Sequence, residues 1–98
     1  MTDSDIGLPE EYRGTAILQL GDASTTLHVR LSARFEPVEG RYRWAGRAAP
    51  DETLLARFRA GIREAILRIE GGASVPVRIG EPDPWGGMRL SGVGKPPW

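Results

Sequence analysis

TLHVRLSARF, residues 26–35, is the stretch that decides the fold. Leu27, Val29, Leu31, Ala33 and Phe35 are apolar, and Thr26, His28, Arg30, Ser32 and Arg34 fall between them. A strict period of two is the signature of a strand with one face in a core and the other in water. Downstream, EPVEG (residues 36–40) supplies turn residues and RYRWAGRA (residues 41–48) resumes the alternation. There Tyr42 and Trp44 share one face while Arg41, Arg43 and Arg47 share the other. The two runs read as a hairpin. Its polar face gathers Arg30, Arg34, Arg41, Arg43 and Arg47 into one basic patch beside His28.

Upstream, YRGTAILQL (residues 12–20) alternates loosely and ends at the turn pair Gly21-Asp22. Residues 1–11 are polar and acidic, so they are expected to form a flexible arm before a single β-rich domain over residues 12–98. Beyond Pro50 two readings compete. Leu54, Leu55 and Phe58, continued by Ile62, Ile66 and Ile69, fit one helix over residues 51–70. Gly61 interrupts that pattern, and Gly71-Gly72 joins two strand-like runs, so a short helix followed by a hairpin is preferred. MRLSGVG (residues 88–94) reads as a last strand, and KPPW is a tail that proline keeps out of the sheet. About six strands and one short helix predict a mainly β chain, a small antiparallel curled sheet or barrel.

Composition narrows the function classes. Thirteen basic and 13 acidic residues leave no net charge, so neither nucleic acid nor an anionic membrane is an expected partner. Locally the balance breaks: residues 1–27 carry a net charge of −4, and residues 28–47 carry +3. The chain has no cysteine, which removes disulfides, thiolate metal sites and thiol nucleophiles and suits a reducing cytoplasm. Its N-terminal stretch lacks a basic and apolar leader pattern. The single His28 belongs to no metal cluster, and no metal or cofactor is expected.

Catalytic signatures are equally sparse. Glu36, Glu39, Glu81 and Asp83 sit at turns, which collect acids without any acid–base role. No serine lies in a nucleophile elbow, and Gly92-Val93-Gly94 precedes Lys95 and two prolines instead of opening a helix. The alternation of Arg with aromatic residues in RYRWAGR suggests a single-strand binder, but its aromatics and arginines point to opposite faces. No catalytic residue is assigned.

One residue resists explanation. In DPWGG (residues 83–87), Asp83, Pro84 and Gly86 suffice for a tight turn, so Trp85 must serve through its side chain. It is expected to fold over an open end of the barrel and pack on Trp44; a ligand-stacking platform is the alternative.

With RGTAILQL, FEPVEGRYRWAGR, GEPDPWGG and SGVGKPPW in place, the chain resembles an actinobacterial family, Domain of Unknown Function 4873, from Tyr12 to Trp98. Gly87 and Trp98 depart from the family habit, which favours a charged or larger residue and a Phe there. The resemblance implies a small β-rich domain that stands alone or follows flavin-dependent monooxygenase domains; it carries over no catalytic residue. The expected function is therefore a non-catalytic binding or accessory domain. It would serve a flavin-dependent oxidoreductase or bind an anionic small molecule through Arg30, Arg34, Arg41, Arg43, Arg47 and Trp85. Two alternatives stand beside it: a small barrel enzyme or subunit acting on an apolar or carboxylate-bearing metabolite, and a homodimer that closes an open sheet edge.

Overall fold

The computed structural model describes residues 11–98. The described residues form six antiparallel strands: β1 (Glu11–Leu20), β2 (Ala23–Glu36), β3 (Arg41–Ala48), β4 (Glu64–Ile69), β5 (Ser74–Pro82) and β6 (Met88–Val93). One helix, α1 (Glu52–Arg59), lies between β3 and β4. The strands close into a barrel in the order β1-β2-β3-β6-β5-β4, and β4 returns to pair with β1. The expected six-stranded barrel with one short helix is therefore the fold.

Alternation places the core. Leu27, Val29, Leu31 and Ala33 of β2 point inward and meet Leu18, Leu20, Leu67, Val77, Ile79 and Leu90 from the other strands. Among the described residues no polar or charged residue is buried, so the lumen holds no acid, base or nucleophile. Closure also pairs every strand on both sides, so the open edge that motivated a second copy is filled within the chain.

The two ends are sealed differently. At one end α1 lays Leu54 and Phe58 over the lumen. Asp51 caps this helix by accepting from the Leu54 N–H at 3.0 Å and also accepts from the Thr25 hydroxyl at 3.1 Å, which pins the helix to β2. At its C-terminus Arg63 stacks its guanidinium 3.8 Å from the Phe58 ring and donates to the Phe58 carbonyl. The short helix followed by a hairpin is thus correct, and the single helix over residues 51–70 is not formed. At the other end the tail folds back: the Ala73 N–H donates to the Pro97 carbonyl at 3.0 Å, Pro97 is buried, and Trp98 packs on Trp44 and Tyr12 with ring centroids 6.2 Å apart in each case.

Trp98 therefore performs the capping expected of Trp85. Trp85 is 77% exposed and does not pack on Trp44. The register explains the correction. The DPWGG turn joins β5 to β6 at the end already covered by α1, whereas Trp44 lies toward the opposite end. Phe35, expected inside, is 50% exposed. The β2–β3 ladder extends to Glu36 opposite Arg41, but β6 stops pairing at Arg43 and the described part of β1 reaches only Ser32, so among the described residues the hairpin tip projects past its neighbours. There Phe35 packs edge-on against Tyr42, with centroids 5.4 Å apart. The first strand opens at Glu11, and the expected flexible arm otherwise lies outside the described residues.

Close approach inside the ring requires glycine at two places. A Cβ on Gly46 would lie 1.8 Å from the Arg30 carbonyl oxygen, and one on Gly92 would lie 2.1 Å from the Trp44 indole. Trp44 itself is 2% exposed. Its Nε1–H finds no acceptor among the described residues, a cost that the buried ring area must exceed.

Chemical denaturation should separate the tryptophans. Trp44→Ala is expected to cost about 3–5 kcal/mol, the range for a fully buried large aromatic. Trp85→Ala should cost no more than about 1 kcal/mol, the scale of an exposed cation–π contact.

Candidate anion-binding site

Strand register converts the basic patch into a row. Arg13 of β1 lies directly opposite Arg30 of β2, Arg30 opposite Arg47 of β3, and Arg47 opposite Arg89 of β6. All four side chains are outside the barrel and exposed. Four guanidinium stems thus cross four adjacent strands, at the usual strand spacing of about 4.8 Å. Like charges placed directly opposite one another oppose sheet formation. Among the described residues Arg13, Arg30 and Arg89 have no ion-pair partner to relieve that repulsion.

The other predicted arginines differ chemically. Arg34 lies opposite Arg43, four residues further along the hairpin than Arg30 and Arg47, with the short Ser32 and Ala45 as the pair between them on the same face. Arg34 pairs with Glu36 at 3.5 Å. Glu39 holds Arg43 with two hydrogen bonds, of 2.7 and 2.9 Å. These bonds hold the Glu39 carboxyl below the usual carboxylate range and raise the Arg43 guanidinium above its own. Arg41 lies opposite Glu36 at the projecting tip. The hairpin turn thus supplies its own counterions to Arg34 and Arg43, and the less compensated charge lies in the row above.

Two grooves flank that row. One, of about 310 Å³, is lined by Arg13, Arg30 and Arg47 with Tyr12, Ser32 and Ala45, and by one acid, Glu11. The other, of about 560 Å³, shares the same three arginines and adds His28, Ala49 and Pro50. A larger groove of about 820 Å³ lies on the outer face around β4, β5 and β6, beside Ile66, Pro76 and Val93. Its cations are compensated, Arg43 by Glu39 and Arg78 by Glu64, so size alone does not make it the better anion site. The described residues contain no group of His, Asp and Glu that would hold a metal ion.

The row meets Trp85 at Arg47. Asp83 accepts from the backbone N–H groups of Trp85 and Gly87, both at 2.9 Å, and from Arg47 Nε at 2.6 Å. The Gly86 N–H closes the expected turn on the Asp83 carbonyl at 3.0 Å, and Gly86 adopts φ +88°. Arg47, held by Asp83, sets its guanidinium 5.8 Å from the centre of the Trp85 ring. A Cβ on Gly87 would lie 3.1 Å from both the Arg47 guanidinium and the Asp83 carboxylate, so the small residue makes room for their contact. Sequence reasoning named Arg30, Arg47 and Trp85 but missed Arg13 and Arg89. Arg13 could have been found from the two-residue Gly21-Asp22 connection, which fixes the β1–β2 register; no local signal pairs β3 with β6.

Partial burial raises the Asp83 carboxyl, but hydrogen bonds from Gly87, Arg47 and Trp85 outweigh it and hold the group below its ordinary 3.8. Stability drawn from the ionised carboxylate is complete above that ordinary value and is lost as pH falls through the lower folded one. Trp85 emission should therefore stay constant between about pH 8 and pH 5 and change only under stronger acid. Asp83→Asn should weaken the same contact at neutral pH, read as a shift in Trp85 emission.

Comparison with known proteins places this barrel among its relatives. Uncharacterized proteins of Mycobacterium bovis and Mycobacterium tuberculosis are 41% identical to the chain over 91 residues, covering 91% of it and 25% of their own length. The chain thus spans about a quarter of the curated relatives it matches. No solved structure gives a significant match. A family model described as a domain of unknown function, DUF4873, matches residues 9–98, and the chain belongs to that family.

Proposed function

We propose that the domain is a non-catalytic module that binds anionic groups on the outer wall of its barrel. The observation that carries this reading is the row Arg13-Arg30-Arg47-Arg89, in which repulsion between neighbours accompanies incomplete internal compensation. Guanidinium groups bind carboxylate and phosphate through paired N–H donors, and a bound anion would relieve the repulsion within the row. Lumen chemistry plays no part in it. As an accessory module the domain would present this row to an oxidoreductase partner or to a ligand shared with one. That the matched segment forms only a quarter of longer relatives fits such a role.

Inorganic diphosphate tests the row directly by calorimetry. The intact protein should bind it with an affinity that falls steeply as salt rises. Arg30→Gln combined with Arg89→Gln should weaken binding at least tenfold while leaving the melting temperature equal or higher, because repulsion across the strands is removed. Arg34→Gln combined with Arg43→Gln should change binding little, since both residues are already paired. Equal binding by the Arg30/Arg89 variant would remove the row from function.

A further inference from the structure

We infer that Trp85 and the arginine row form one composite site for a mononucleotide, a planar heteroaromatic ring carrying a phosphate chain. This deepens the anion-binding reading and rests on it. An indole is costly to leave in water, and tryptophan is usually well buried. Here the fold keeps Trp85 77% exposed and fixes the turn beneath it, through hydrogen bonds from the Trp85, Gly86 and Gly87 N–H groups to Asp83. A platform held in place before binding loses little freedom when a ring stacks on it.

The ring is also joined to the charges. Arg47 is at once the cation nearest the indole and a central member of the row, with Arg30 and Arg89 one strand spacing to either side. A ring stacked on Trp85 would therefore carry its phosphates toward Arg89, Arg47 and Arg30. Stacking alone selects no anion, and the row alone selects no ring. Together they favour a ligand that has both, bound edge to edge on the outer wall with its ring at the turn and its charge across the strands.

The test compares ADP with inorganic diphosphate on the intact protein, by calorimetry and by tryptophan emission. ADP should bind at least tenfold more tightly than diphosphate and should quench an emission component that Trp85→Ala lacks. Trp85→Ala should bind ADP and diphosphate alike, Trp85→Phe should keep the preference, and Arg30→Gln with Arg89→Gln should lose both ligands. Equal affinities in the wild type, or a preference that survives Trp85→Ala, would overturn the composite site while leaving the anion row standing. Binding of neither ligand would overturn both. A glutamate heptapeptide that binds more tightly than ADP and depends equally on Trp85 would overturn the nucleotide in favour of an acidic protein segment.

Discussion

The ladder between β1 and β4, where Ala16, Ile17, Leu18 and Gln19 lie opposite Ile69, Arg68, Leu67 and Ile66, is the contact on which the rest depends. It turns a sheet of six strands into a ring. Once the ring closes, no strand has a free side, and each alternate side chain must choose between a narrow lumen and water. The lumen is filled by Leu, Val, Ile and one Trp, and the close approach of backbone and ring within it leaves room only for glycine at Gly46 and Gly92. Sealing then falls to whatever chain remains. α1 closes one end with Leu54 and Phe58, and the tail closes the other with Pro97 and Trp98.

Strand order makes the outer wall a surface on which residues distant in the chain become neighbours. The β3–β6 ladder, which joins strands that do not follow one another in the sequence, sets Arg89 directly opposite Arg47. The charged row is thus a product of topology as well as of composition, and its members come from positions 13, 30, 47 and 89 of a chain with no net charge. Counterions divide the wall further, because the β2–β3 turn carries Glu36 and Glu39 to Arg34 and Arg43 while in the row of Arg13, Arg30, Arg47 and Arg89 the one ion pair among the described residues is that of Arg47 with Asp83, and Glu11 lines the groove beside it.

What was legible in the sequence was the local order. The alternation of residues 26–35 and the turn at residues 36–40 fixed which side chains of β2 and β3 face out, and those assignments hold for Arg30, Arg34, Arg41, Arg43, Arg47 and Trp44. Phe35 fails because, among the described residues, its strand outruns its outer neighbours, a matter of strand lengths elsewhere in the chain. Trp85 and Trp98 exchange roles for a related reason. The need for an aromatic plug could be read from a small barrel, but which end each tryptophan reaches depends on the crossing of β3 to β6, which no local pattern encodes. Arg89 was hidden behind the same crossing, whereas Arg13 follows from the tight Gly21-Asp22 connection.

The stacking of Tyr12 on Trp98 brings the two ends of the described residues to one end of the barrel. These residues lie near the two ends of the described chain, yet their rings are 6.2 Å apart, so the backbone enters and leaves the barrel at one end. A domain with adjoining ends can be set into a loop of another protein, or circularly permuted, without threading either connection across its surface. The helix-covered end, with the DPWGG turn beside it, points away from that junction. The most exposed aromatic, Trp85, thus stands at the end of the barrel remote from both ends of the described chain.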